Sequence, residues 1–212
     1  MLDINNYIQI FIGLLAILSP FSAIPLFLSM TKTQSGNEQR KTANKTSFAV
    51  FCAIVVSVFL GSYILSFFSI SIHSFRIAGG ILILLMAINM INGQVPRAKN
   101  TPEEKLEAKN SDGDISIVPL AIPLLAGPGA ISTIIVYSNQ GSDIYHNFVL
   151  MFIGLLISII IWITLRMSSK ISKFLGTIGI NIISRVMGLI LASISIEFII
   201  NGLTNMLPVL KG

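Results

Sequence analysis

Six hydrophobic stretches, each long enough to cross a bilayer as a helix, alternate with polar segments along this chain. They cover residues 7–30, 47–68, 75–91, 117–137, 148–165 and 183–207. Short turns at 69–74 and 177–182 precede the third and the sixth stretch. The longest polar segment, residues 94–116, carries nine charges in 23 positions and divides the chain into two halves. This pattern predicts an all-α integral membrane protein with six transmembrane helices.

Two of these stretches contain helix breakers near their middle. In the fourth, Pro123, Pro128 and the glycines beside Pro128 interrupt the helix, because proline lacks an N–H and glycine tolerates unusual dihedral angles. In the first, Pro20 and Pro25 have the same effect. Backbone groups freed in this way must be satisfied by other protein or by a water-filled cavity. A proline kink that only helps the helices to pack would give the same sequence, and it stays an alternative.

The two halves of the chain resemble each other in sequence. Pro128 lies 108 positions after Pro20. Seven residues of the third stretch recur 109 positions later in the sixth, namely Arg76, Gly79, Ile81, Leu82, Ile91, Asn92 and Gly93. We therefore predict a first three-helix repeat at residues 1–93, a linker at 94–116 and a second repeat at 117–212. Interrupted helices at the same point of two repeats are typical of a transporter's binding site.

The distribution of charge predicts how the chain lies in the membrane. A mean hydropathy of +0.83 with 11% charged residues excludes an ordinary soluble domain. The net charge of +5 does not indicate a nucleic-acid partner, because the basic residues are spread through loops. The segments after the first, third and fifth stretches hold four, four and three Lys or Arg residues. By the positive-inside rule these segments, including the linker, are cytoplasmic and both termini are periplasmic, so the second repeat is inverted relative to the first.

The two breaks are the best candidates for a substrate site. Half-helix N-termini and freed carbonyl groups can hold the carboxylate and the ammonium group of a small zwitterion. The candidate substrate-binding residues are Ser19, Pro20, Ser22, Ala23, Pro25, Gly127, Pro128, Gly129, Ser132 and Thr133. The hydroxyl groups among them could instead bond back to their own helix, four residues earlier.

A few polar residues inside the hydrophobic stretches are further candidates. Glu197 is the only acid in any of them, which suggests a proton-coupling site, although a structural pairing is the alternative. We expect Arg76 and Arg185, one near each membrane face, to anchor loops or cap broken helices rather than to touch substrate. Asn89 is expected to hydrogen-bond between helices. His73 and His146 lie in short outward loops and are expected to be solvated.

Other kinds of chemistry find no support in the sequence. It contains no nucleophile elbow, no phosphate-binding Gly-Lys-Ser/Thr motif and no metal-binding histidine pair, so we expect neither an enzyme nor a metal or other cofactor. The single cysteine, Cys52, lies in an apolar stretch and is expected to be a small core residue.

The motifs of the third, fourth and sixth stretches resemble the bacterial MarC family of inner-membrane proteins. The resemblance is carried by residues 74–81, 118–132 and 185–191 and extends over nearly the whole chain. It implies six spans in a bacterial inner membrane and uptake of small neutral amino acids such as glycine and alanine, coupled to protons. The chain departs from the family at Ser19, where an Asn or Asp usually precedes the proline.

The sequence therefore predicts a multi-pass secondary transporter whose partners are the lipid bilayer, a small-molecule substrate and a proton. The alternative is a non-transporting membrane protein with an assembly or stress-related role. The sequence does not indicate the oligomeric state.

Overall fold

In the computed structural model, which describes residues 3–93, 126–141 and 144–207, every regular element of these residues is an α-helix. The helices are α1 (Ile4–Leu18), α2 (Ile24–Met30), α3 (Gly36–Phe67), α4 (Ile72–Ile91), α5 (Pro128–Ser138), α6 (Ile144–Arg166) and α7 (Ser168–Met206). Four of them, α3, α4, α6 and α7, are long and apolar enough to cross a membrane, whereas α1 and α5 are apolar but shorter. The expected linker at 94–116 and the first part of the fourth stretch, 117–125, lie outside the described residues.

The first hydrophobic stretch is interrupted where the prolines predict it. Helix α1 ends at Leu18, and Ser19 adopts a left-handed conformation with φ 36° and ψ 68°. Proline disfavours the right-handed helical conformation in the residue before it, so Pro20 accounts for this departure. Helix α2 then begins at Ile24 with Pro25 in its first turn, where a missing N–H costs no hydrogen bond.

The second interruption is described from its C-terminal side. Gly127 has an extended backbone and Pro128 is the first residue of α5. Helix α5 therefore begins inside the fourth hydrophobic stretch.

Helix α3 begins earlier than the hydrophobic pattern indicates. The second stretch was expected to start at residue 47, but α3 starts at Gly36. A capping box causes the early start, because the Ser35 side chain accepts a hydrogen bond from the Glu38 backbone N–H while the Glu38 carboxylate accepts one from the Ser35 N–H. Hydropathy marks only the apolar part of a helix, so this polar extension is invisible to it.

The expected turn at residues 177–182 is wrong. These residues are helical, and the departure from helical geometry falls at Gly176, with φ 63° and ψ 179°. A positive φ is strained for any residue with a Cβ, so the glycine determines where α7 bends. Thr177 and Asn181, which lie in the expected turn, are part of the continuing helix.

Helices α4 and α7, which carry the repeated sequence motif, pack against each other in antiparallel directions. A Cβ at Gly80 would lie 2.9 Å from the Ser195 carbonyl oxygen, and one at Gly202 would lie 3.0 Å from that of His73. A Cβ at Gly188 would lie 3.0 Å from the carbonyl oxygen of Ala87. The small residues thus let the two backbones approach closely, as in membrane helix pairs.

Helix boundaries recur along the chain at nearly the same interval as the sequence motif. Ser138, the end of α5, lies 108 positions after Met30, the end of α2. Ile144, the start of α6, lies 108 positions after Gly36, the start of α3. The described parts of the two halves therefore share a short helix and a long helix in the same order.

Candidate functional site

The hydroxyl groups at the first break form a chain that ends on α7. Ser19 Oγ lies 2.7 Å from Ser22 Oγ, which lies 3.0 Å from Ser184 Oγ. Ser19 and Ala23 are buried. Ser184 was missed by the sequence analysis, and only its position beside Arg185 in a repeated motif could have drawn attention to it.

The hydroxyl groups at the second break bond to their own helix. Ser132 Oγ and Thr133 Oγ1 both donate to the Gly129 carbonyl oxygen, at 3.0 and 2.8 Å. This is the alternative that the sequence left open for them. A Cβ on Gly129 would lie 3.0 Å from Met86 Sδ and 3.4 Å from Ile83 Cγ1, so this break faces α4.

The described contacts do not join the two breaks into one site. The first break bonds to Ser184 on α7, whereas the second lies against Ile83 and Met86 on α4. Among the described residues, no hydrogen bond runs from one break to the other. The two breaks are connected only indirectly, because α7, which the first contacts, packs along its length against α4, which the second contacts.

A cavity of about 480 Å³ lies at the end of the bundle where α1 begins and α5 ends. We call it the Arg76 cavity. It is lined by Asn6, Gln9, Ile10, Ile12, Gly13, Arg76, Tyr137, Gln140, Ile194, Glu197, Phe198 and Asn201. The sequence analysis singled out two of these residues, Arg76 and Glu197, but did not predict that they would meet. The polar side chains of the cavity come from α1, α4, α5 and α7 and from the residues just after α5. The antiparallel register of α4 and α7 brings Arg76 near Asn201.

Arg76 is held over an aromatic ring and is incompletely hydrogen-bonded. Its guanidinium carbon lies 6.0 Å from the centre of the Phe198 ring, and Tyr137 packs edge-on against the same ring with centroids 5.7 Å apart. Arg76 Nε is buried and has no hydrogen-bond partner in the described part of the chain. Arg76 and Glu197, both among the described residues, form no ion pair within 4.0 Å.

The remaining polar candidates lie away from this cavity. Arg185 lies at the opposite end of the α4–α7 pair, where a Cβ on Gly93 would be 3.4 Å from its Nη2. Asn89 is exposed on α4, so the described helices do not cover the side chain that was expected to join them.

The expectation that His146 is solvated is wrong. The residue is only 3% exposed, and its ring bridges two helices. Its Nε2 lies 2.8 Å from the Tyr137 carbonyl oxygen, which can only accept, so Nε2 carries the proton and Nδ1 accepts from the Tyr7 hydroxyl at 3.0 Å. Helix α6 begins at Ile144, which turns His146 inward. The expectation is also wrong for His73, which is half-buried and whose Nδ1 has no partner among the described residues.

Comparison with known proteins gives a consistent result over nearly the whole chain. Residues 4–207 match the family described as "MarC family integral membrane protein". Two relatives from Buchnera aphidicola, each named a UPF0056 membrane protein, are 45% and 46% identical to this chain and cover 97% and 96% of it, and 95% and 94% of their own lengths. The UPF0056 membrane protein YhcE of Escherichia coli is 40% identical, over 97% of this chain and 95% of its own length. No solved structure matches.

Proposed function

Because the chain belongs to the MarC family of integral membrane proteins, we propose that it is a secondary transporter of small neutral amino acids or similar small metabolites. In this proposal it is a multi-pass protein of a bacterial inner membrane and uses a proton gradient. The names of its relatives state only that they are membrane proteins. The transporter architecture in this proposal is argued from this chain, whereas the substrate class and the proton coupling are what the resemblance to the MarC family implies.

One observation carries the proposal. The first hydrophobic stretch is interrupted next to Pro20, and helix α5 begins at Pro128 inside the fourth stretch. The boundaries that follow lie 108 positions apart: α2 and α5 end at Met30 and Ser138, and α3 and α6 begin at Gly36 and Ile144. Discontinuous helices expose backbone N–H and C=O groups at membrane depth, which is expensive unless those groups bind something or are covered. The prolines of the fourth stretch predict a second interruption there, and the same cost incurred in both halves favours a function in binding.

The proposal includes six spans arranged as two inverted repeats. The four long apolar helices supply four spans, and the two interrupted stretches that contain α1 with α2 and α5 supply the others. The antiparallel packing of α4 against α7 supports the inversion, because helices related by a two-fold axis in the membrane plane run in opposite directions. Both termini are then periplasmic.

Within this arrangement we place the substrate between the two breaks and the proton on Glu197. Opening of the serine chain from Ser19 to Ser184 would provide hydroxyl partners for a small polar solute. Glu197 lines a polar cavity from which a proton can be exchanged with water.

Flux measured in proteoliposomes tests the proposal. Radiolabelled glycine and alanine should accumulate in vesicles that contain the protein, and a proton gradient should increase the rate. Protein-free vesicles from the same lipids control for leak. If folded protein moves neither these solutes nor a wider panel of amino acids, the transport proposal is rejected in favour of an assembly or stress-related role.

A further inference from the structure

We infer that the Arg76 cavity is a binding site for a small zwitterion, with the carboxylate on Arg76 and the cationic nitrogen towards Glu197. The inference rests on the proposed function in that it adds a second, separate site for the same class of solute. The cavity lies at one end of the bundle, whereas the proposed transport site lies at the helix breaks.

The lining of the cavity is the first argument. Seven of its twelve lining residues are polar or charged: Asn6, Gln9, Arg76, Tyr137, Gln140, Glu197 and Asn201. Yet 53% of the chain is hydrophobic. Polar side chains in membrane helices are costly and mark ligand or ion pathways. The volume of about 480 Å³ also lies in the range usual for small-molecule sites, which is about 300 to 1,000 Å³.

The second argument is that the Arg76 guanidinium is held in place while its Nε–H has no hydrogen-bond acceptor in the described part of the chain. The Phe198 ring holds one face of the guanidinium, and the buried Nε–H has no partner among the described residues. A buried donor without an acceptor costs free energy, which a ligand that supplies the acceptor recovers. The donors of a guanidinium match the two oxygens of a carboxylate, so a carboxylate is the ligand group that this geometry fits.

Glu197 supplies the opposite charge on the neighbouring helix. Within the described part of the chain the two charged groups form no ion pair within 4.0 Å, so neither one neutralises the other by direct contact. Both side chains line the same cavity, so a molecule inside it that carries both charges can pair with each. A simple anion would pair with Arg76 alone and would be repelled by Glu197.

Three small probes separate these contributions. Glycine carries both charges, acetate only the carboxylate and methylammonium only the cation. Isothermal titration calorimetry of the purified, full-length protein in detergent measures their dissociation constants. We expect glycine to bind more tightly than acetate, and acetate more tightly than methylammonium.

The variants give each charge a distinct signature. Arg76→Gln should raise the Kd of glycine and of acetate about tenfold or more, since a charge-assisted contact is lost. Glu197→Gln should raise the Kd of glycine but not that of acetate. The matched control is Arg185→Gln, which removes the repeat-equivalent arginine outside the cavity and should change neither.

The inference is overturned if the wild-type protein binds neither glycine nor acetate, if Arg76→Gln binds both as well as wild type, or if Arg76→Gln and Arg185→Gln lose affinity equally. Affinity that depends on Gly129 and not on Arg76 also overturns it but leaves the transport proposal intact. Conversely, if the protein shows no flux but its variants change the Kd of glycine and acetate as expected, the binding site in the Arg76 cavity is supported and the transport proposal is rejected.

A measurement on the unaltered protein covers the case in which Arg76→Gln does not fold. Phenylglyoxal modifies arginine side chains, and peptide mass spectrometry follows each site separately. Glycine should slow the modification of Arg76 and leave that of Arg185 unchanged. Equal rates at Arg76 with and without glycine would reject the site.

Discussion

Adding a single methyl group at Gly80 tests the antiparallel packing of α4 against α7. The Cβ of Gly80→Ala would lie 2.9 Å from the Ser195 carbonyl oxygen, 2.7 Å from Ile199 Cγ1 and 3.2 Å from Ile199 N. Two of these three atoms belong to the backbone of α7 and cannot rotate away. Overpacking typically costs about 1 to 3 kcal/mol, and contacts with immovable backbone atoms place this change in the upper part of that range, at about 2 to 3 kcal/mol. Alanine's helix propensity returns about 1 kcal/mol. We expect the free energy of unfolding to fall by about 1 to 2 kcal/mol.

Thermal unfolding in detergent, followed by circular dichroism, measures this effect. The expected decrease in Tm is about 2 to 8 °C for a chain of this size. Gly36→Ala is the control, because a Cβ there would meet nothing within 4 Å. Its Tm should equal that of wild type or lie slightly above it, since alanine favours the helix more than glycine does. In a double-mutant cycle, Gly80→Ala and Ile199→Ala should couple, since the second change removes the side-chain part of the clash. An unchanged Tm for Gly80→Ala would refute the close approach of these two helices.

Four further changes test other parts of the molecule. Glu197→Gln should keep the fold and abolish the pH dependence of flux, whereas an intact pH response would make the acid structural. Gly129→Leu should sharply raise the substrate's dissociation constant, and a loss of Tm with unchanged affinity would reduce the second break to a packing kink. His146→Phe removes two hydrogen bonds and should lower the free energy of unfolding by about 1 to 3 kcal/mol in chemical denaturation, and no change would show that the bridge is unimportant. Reporter fusions near Lys105 should read cytoplasmic and those near Ser142 periplasmic, and a cytoplasmic signal at both would exclude the inverted repeat.

Local chemistry explains which elements were predictable from the sequence. The interruption next to Pro20 and the start of α5 at Pro128 follow from missing N–H groups and special dihedral angles, which depend on a few consecutive residues. The early start of α3 at Gly36 was also encoded locally, in the capping box, but hydropathy does not detect caps. The bend at Gly176 was placed a few residues too late, because the turn was assigned by its correspondence to residues 69–74, whereas the backbone geometry of a glycine decides where the helix bends.

The site could not be assembled from the sequence in the same way. Arg76 and Glu197 were each recognised as unusual in a hydrophobic stretch, but the shared cavity depends on the register between two helices. The burial of His146 likewise depends on Tyr7 and on the Tyr137 carbonyl, which lie on other helices. Long-range contacts of this kind have no signature in consecutive residues.

The antiparallel pairing of α4 and α7 also bears on how the chain inserts into the bilayer. Consider two chemically identical halves that are related by a two-fold axis in the membrane plane. Such a chain would insert equally well in both orientations and give a dual-topology population. The described basic residues remove that degeneracy, because most flank α2, α3, α6 and the start of α7: Lys32, Arg40, Lys41, Lys45, Arg166, Lys170 and Lys173. Arg40 and Arg166 line one small cavity there, whereas Arg76 is the basic residue of the cavity at the opposite end. If the chain has the proposed inverted-repeat topology, the charge distribution rather than the helical framework would select its orientation at insertion.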